Sequence, residues 1–323
     1  CILFYRLGDF YEMFFDDAIT VSKELELTLT GKDCGQEERA PMCGVPFHAA
    51  ETYINRLVSN GHKVAICEQM EDPKLAKGIV KREVIKVVTP GTNLNAQALD
   101  ETKNNYLFCI YYQGDVIGVS ICDFSTGDYF VTELKSENEL IDEINKFVPS
   151  EIIVNEYFAM SGIDLTAVNE KLNISMSTLE NWYFDEDSSI KKLLSHFKIS
   201  ALDGLGVKDY PTGIIAAGAL LTYLYETQKS DMSHIITLTP YTTGKYMLID
   251  SSSRRNLELV ETLREKQKRG SLIWVLDKTK TAMGARALRS MIEQPLINKD
   301  EIINRQNAVS YTHLRAHETE LHL

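Results

Sequence analysis

Apolar and polar positions change their period several times along the 323 residues. Over residues 9–25, Phe10, Met13, Phe14, Ala18, Val21 and Leu25 recur at helical spacing, which predicts one helix. Asp9 is placed to cap it, with Glu12 at the third position of a capping box. Residues 51–60 read as a second helix stopped by Gly61. Residues 63–67 and 83–89 read as strands, the latter ended by Pro90-Gly91. Helices and strands in alternation predict a small α/β domain with a mixed sheet.

Residues 92–104 are polar and carry no apolar period, so a linker is set at 95–105. Strands follow at 106–112, 115–122 and 128–134, separated by Gln113-Gly114 and Ser125-Thr126-Gly127 turns. Ser136 and Glu139 form a capping box for a helix reaching 148, and 151–155 is a further strand. The order β-β-β-α-β is the opening of a ribonuclease H-like domain. From 253 onward the pattern turns amphipathic and charged, predicting two long helices over 254–269 and 271–293. The fold class is therefore multidomain, α/β followed by all-α. Its parts are 1–94, the 95–105 linker, 106–235, 236–309 and a tail, 310–323. That tail holds three of the seven histidines and no strong apolar period, and it reads as foreign to the rest.

Composition narrows the class without naming it. Hydrophobic residues at 44% and charged residues at 25% exclude disorder, collagen and coiled coil as global descriptions. The longest apolar run, residues 214–225, is too short to span a bilayer. The chain opens at Cys1 inside an apolar run, so the native N-terminus is expected upstream. Six cysteines, all within the first 122 residues and without a CxxC pair, predict a reduced cytoplasmic protein with buried thiols and no zinc site.

Net charge is −12, which by itself argues against nucleic acid. The acidity is concentrated in residues 95–235, with 9 basic and 22 acidic side chains. Residues 1–94 carry 11 and 14, and residues 236–323 carry 14 and 10, so neither end is excluded as a nucleic-acid surface.

Candidate chemistry is sparse. No Walker A loop, nucleophile elbow, HExxH or dinucleotide glycine motif occurs. Asp123, Glu139 or Glu143, and Glu156 fall where a ribonuclease H-like nuclease places the carboxylates that hold two Mg²⁺ ions; the bland alternative is ordinary surface acids. Phe10-Tyr11-Glu12 puts an aromatic two residues from a carboxylate. An exposed Phe there can wedge between base steps, while a carboxylate repelled by phosphates favours only a displaced or mispaired base. The competing reading makes Phe10 part of an apolar helix face and Glu12 half of a capping box. Lys74, Lys77, Lys81, Arg82 and Lys86 form a basic run, suited to phosphates or merely solvated.

The chain resembles the N-terminal part of the MutS family of DNA mismatch-recognition proteins. The resemblance rests on Phe4-Tyr5-Arg6-Leu7-Gly8-Asp9-Phe10-Tyr11-Glu12-Met13-Phe14 and Pro41-Met42-Cys43-Gly44-Val45-Pro46-Phe47-His48-Ala49. It continues in Val64-Ala65-Ile66-Cys67-Glu68-Gln69, Val88-Thr89-Pro90-Gly91-Thr92, Arg254-Arg255-Asn256-Leu257-Glu258 and the stretch from Leu276 to Arg286. It implies a mismatch-recognition domain, a ribonuclease H-like connector domain without nuclease activity and the start of a helical lever domain. It also implies that Phe10 is the intercalating wedge and Glu12 the base-contacting carboxylate, with Lys81 and Arg82 as backbone contacts. By the same resemblance this chain is not itself an enzyme. ATP and Mg²⁺, the clamp, homodimerisation and the mismatch-repair partner MutL belong to the full-length family. The metal-dependent nuclease remains the alternative function.

Overall fold

Gly8 decides how the first elements form. In a computed structural model, which describes residues 1–323 apart from 36–37, 72–77, 79, 96–99, 248 and 321–323, Gly8 takes a φ of +58°. Gly8-Asp9 is thereby a two-residue hairpin loop joining β1 (Ile2–Leu7) to β2 (Phe10–Phe14). A left-handed residue at the first central position is the requirement of a type II′ turn, and glycine meets it without a Cβ clash.

The single helix expected over 9–25 is consequently two elements, β2 and then α1 (Phe15–Leu25), which starts without a side-chain cap. Strand pairing on both sides of β2 satisfies its backbone, so the helical alternative offers nothing more. Within β2 the side chains alternate: Tyr11 and Met13 are buried, and Phe10, Glu12 and Phe14 take the other face. Phe10, Met13 and Phe14 imitate a helical period only by coincidence of spacing. Glu12 is mid-strand and makes no capping box.

The first sheet runs β3-β4-β2-β1-β5-β6, with β3 (Thr30–Lys32), β4 (Ala40–Pro46), β5 (Val64–Gln69) and β6 (Arg82–Val88). Only β1 and β5 pair in parallel, so the sheet is mixed, as expected. Helix α1 and α2 (Ala50–Ser59) contribute Val21 and Leu57 to a core shared with Phe4, Met13, Val45 and Val64 of the strands. The opposite face stays partly open to solvent.

A second sheet runs β11-β10-β7-β8-β9-β12. Strands β7 (Tyr106–Tyr112), β8 (Ile117–Asp123) and β9 (Asp128–Leu134) form an antiparallel meander. After α3 (Glu137–Phe147), β10 (Glu151–Asn155) joins β7 in parallel. Helices α4 (Glu156–Met160) and α5 (Thr166–Leu172) lead to β11 (Ser175–Leu179), parallel to β10. Then come α6 (Glu186–Phe197), α7 (Pro211–Gln228) and the short β12 (Thr239–Pro240). The long apolar run is α7, buried on nearly every side. It lies so close to β8 that a Cβ at Gly118 would stand 2.3 Å from the Thr212 carbonyl oxygen. Four of the six thiols (Cys43, Cys67, Cys109 and Cys122) are buried as expected, whereas Cys1 and Cys34 are exposed.

Both sheets belong to one body and are joined through a buried charge. Glu151, at the start of β10, is fully shielded from solvent. Its carboxylate meets Lys63 Nζ at 2.9 Å and accepts from Tyr223 OH at 2.7 Å, Thr89 Oγ1 at 2.5 Å and the Gly91 N–H at 3.1 Å. Lys63 also donates to Ser177 Oγ and Tyr223 OH, each at 2.9 Å. Burial, reinforced by the neighbouring carboxylate, pushes the Tyr223 phenol well above its ordinary range.

The second body comprises residues 101–103, 138–147 and 242–323. Arg254 Nη1 donates to the Asn145 and Lys146 carbonyls at 3.0 and 3.3 Å, satisfying orphan acceptors at the end of α3. The two long helices expected here are instead α8 (Ser251–Asn256), α9 (Leu272–Leu276) and α10 (Ala282–Glu293), followed by α11 (Lys299–Glu320). Left-handed backbone at Glu258, Lys266 and Gly270 breaks the charged stretch. Ser271 and Thr281 then accept N–H bonds as fresh N-caps, where the sequence pattern ran straight through.

Lys63→Met leaves the Glu151 carboxylate buried with neutral donors only, and should cost on the order of 2–3 kcal/mol in urea unfolding. Adding Glu151→Gln should recover most of that loss, because an amide needs no cation. An unchanged midpoint in the single variant would show that the ammonium is not what balances Glu151.

Candidate nucleic-acid interface

Side-chain alternation in β1 and β2 assembles the candidate surface. On the open face, Leu7 stands opposite Phe10 and Tyr5 opposite Glu12. Across the other edge of β2, Phe10 faces Pro46, Glu12 faces Gly44 and Phe14 faces Met42. Phe10 and Glu12 therefore share one face two residues apart, a separation of about 7 Å along a strand.

Phe10 is 47% exposed beside the hairpin tip. A phenylalanine left half in water forgoes about 1 kcal/mol of burial free energy. The loop behind it is braced. Arg6 Nε donates to the Gly8 carbonyl at 2.6 Å, and the Phe47 N–H donates to the Asp9 carbonyl at 3.0 Å. The Arg6 guanidinium also lies 3.8 Å from the centroid of the Phe47 ring, a cation–π contact. Beneath, Tyr11 OH donates to Glu68, whose carboxylate lies 3.7 Å from Arg6. Burial, with Glu68 adding to it, pushes the Tyr11 phenol up to about 12.

Glu12 is paired rather than bare. Lys32 of β3 reaches across β4 and donates to Glu12 Oε2, with its ammonium 5.4 Å from the centroid of the Phe14 ring. The position opposite Glu12 is Gly44.

Among the described residues of the basic run, Lys81, Arg82 and Lys86 do not form one continuous strip. Lys81 is exposed and ion-paired to Glu83 at 2.7 Å, which raises its ammonium above the usual value. Arg82 turns inward instead: Nε donates to the Arg6 carbonyl at 2.9 Å and Nη1 to the Val80 carbonyl at 3.0 Å. Its guanidinium lies 5.1 Å from the Tyr5 ring, so it belongs to the same open face as Glu12. Lys86 is half-buried, and burial lowers its ammonium below the ordinary range. Lys74 and Lys77 lie outside the described residues.

Sequence reasoning passed over Lys32, Arg6 and Phe47. The signal that exposes them is Gly8-Asp9 between two alternating runs, the mark of a hairpin; once β2 is a strand, its cross-strand neighbours follow from register.

The acidic candidates do not form a metal centre. Among the described residues no group of three or more His, Cys, Asp or Glu side chains is gathered to hold an ion. Asp123 is fully buried and serves the β8–β9 turn. Its Oδ1 accepts from Ser125 N–H at 2.8 Å and Ser125 Oγ at 2.6 Å, and Oδ2 from Asn104 at 2.7 Å. Glu143 pairs with Lys146 at 3.0 Å, and Glu156 accepts from Asn181 at 2.7 Å.

Comparison with known proteins returns one family in three consecutive pieces. Residues 1–97 match MutS domain I, 105–236 MutS domain II and 252–322 MutS domain III. The last match runs into the 310–323 stretch set apart in the sequence. The DNA mismatch repair protein MutS of Lachnoclostridium phytofermentans is 64% identical over 310 residues, covering 96% of this chain and 33% of that protein. Those of Ruminiclostridium cellulolyticum and Clostridium tetani are 54% and 50% identical, again over 96% of this chain and 35% and 34% of their own lengths. The chain thus spans about a third of the length of these curated relatives. With three successive domain matches and half or more of the aligned residues identical, the chain belongs to the MutS family, of which it carries domains I, II and III.

Proposed function

We propose that this chain recognises mispaired or unpaired bases in duplex DNA, with Phe10 as a wedge that opens a base step and Glu12 as the group that contacts the displaced base. One observation carries the reading: a half-exposed Phe10 on a braced hairpin, sharing an open sheet face with a carboxylate. Unstacking a base step costs a few kcal/mol, and an aromatic that fills the opened step offsets it. A mispaired base gives way more readily than a paired one, so the wedge favours mismatches.

In this reading Lys81 and Arg82 contact the DNA backbone, and the chain binds without catalysing a reaction. Residues 106–235 act as a ribonuclease H-like connector; the strand order β9-β8-β7-β10-β11, with an antiparallel meander followed by two parallel strands, supports that assignment. Residues 236–309 begin a helical lever. ATP and Mg²⁺ are assigned to the rest of the full-length protein, since this sequence has no phosphate-cradling glycine loop. Homodimerisation, the MutL partner and cytoplasmic location are part of the same proposal. Among the described residues, no helix is long and apolar enough to cross a membrane.

Binding is measured by fluorescence anisotropy on T·G and matched duplexes. The titrations use both the chain alone and the chain joined to the remaining length of the L. phytofermentans relative. Phe10→Ala should abolish the preference for T·G, because Ala cannot fill an opened step; retained preference would remove Phe10 from the wedge role. Glu12→Ala should tighten binding to matched DNA by about fivefold, the scale of one solvent-screened charge near phosphates, while eroding discrimination. Thermal melting run alongside separates this from a purely structural loss, which would lower stability and leave DNA preference alone. Lys81→Ala and Arg82→Ala together should weaken both duplexes by similar factors, because phosphate contacts carry no base information. Each lost contact should flatten the slope of log affinity against log salt by about 0.9. Single variants assign the contacts: the outward Lys81 should account for more of the change than the pinned Arg82. A slope that does not move would take both residues off the DNA.

A further inference from the structure

We propose that Lys32 is a positioning residue for base discrimination: it anchors one oxygen of Glu12 and leaves the other to meet a mispaired base. The proposal rests on the mismatch reading of this face. Lys32 lies on the edge strand β3, opposite Ala40, and Glu12 lies on β2, opposite Gly44. The two are therefore not neighbours in register. The lysine stem must run diagonally over β4 to reach the carboxylate, passing the Phe14 ring. Position 44, opposite Glu12, is glycine; an added Cβ would touch Glu12 Cγ at 3.6 Å and press on the Tyr11 carbonyl oxygen at 3.3 Å.

The contact is made to Oε2, and Oε1 takes no hydrogen bond among the described residues. A carboxylate held by one oxygen is fixed in direction while keeping a free acceptor. Fixing a recognition group before binding spares the ordering cost at the moment of contact. The Lys32 side chain is 42% exposed and that of Glu12 17%, so the carboxylate is the more enclosed partner. The pair also cancels the carboxylate's charge next to DNA, but that effect falls equally on matched and mismatched duplexes. Only positioning changes the ratio between them.

That ratio is the test. In the Glu12 background, Lys32→Met should reduce the T·G-over-matched affinity ratio by about threefold, the scale of an exposed ion pair. In a Glu12→Ala background the same substitution should leave the ratio unchanged. Lys32→Arg, which keeps a donor to Oε2, should restore the wild-type ratio. Lys32→Met weakening both duplexes equally in both backgrounds would make Lys32 a plain phosphate contact and overturn the proposal. A wild-type ratio that falls on Phe10→Ala but ignores Lys32→Met would leave the mismatch reading standing and defeat this inference alone. No preference in the wild-type protein would defeat both.

Discussion

A single buried carboxylate holds the first body together. Glu151 has no access to water, so its charge must be balanced inside the protein. The balance comes from both halves: Lys63, Thr89 and Gly91 arrive from the ends of the first sheet, and Tyr223 from the central helix of the second. Neither sheet can be displaced without leaving that charge unpaired. Gln228 adds a neutral tie to the Val87 carbonyl at 3.2 Å, and Asn105 one to the Pro90 carbonyl at 3.0 Å. These ties are neutral, whereas removing one partner of the ion pair strands the other's charge.

The second sheet was the most legible part of the sequence. Strands at 106–112, 128–134 and 151–155 are those that form, because each is a short apolar run lying between turn residues. Strand β2 was not legible. Six apolar residues at helical spacing, a capping aspartate and a glutamate at the right distance all favoured a helix over 9–25. Strand pairing overrode them, and pairing is a long-range fact that local pattern does not contain: β4, which flanks β2, lies about thirty residues away. The helical stretch after residue 253 failed for the opposite reason. Its amphipathic period is genuine, but Ser271 and Thr281 are cap residues inside it, and the chain restarts at each.

The same contrast governs the candidate site. Phe10 and Glu12 were legible as residue types, and their mutual placement was not. A helix would have set them some 200° apart around its axis; a strand sets them side by side on one face. The charge of the surface was equally hidden. Residues 1–94 are net acidic, yet Glu12 on the open face is met by Lys32, and Arg82 lies against Tyr5 on the same side. A net charge summed along a chain says nothing about which face carries which sign.

The parallel pairing of β1 with β5 has a mechanical consequence. Lys63 immediately precedes β5, and Ile2 at the near end of β1 donates its N–H to the Lys63 carbonyl at 2.8 Å. The far end of β1 is Leu7, next to the hairpin that carries Phe10. Ile2, bonded to Lys63, and Leu7, opposite Phe10, are thus the two ends of β1, roughly 17 Å apart. A load applied at Phe10 along that direction shears the hydrogen bonds between β1 and β5 together, instead of opening them one after another. The strand behaves as a strut that meets a thrust at its tip through the stretch from Ile2 to Tyr5 that pairs with β5.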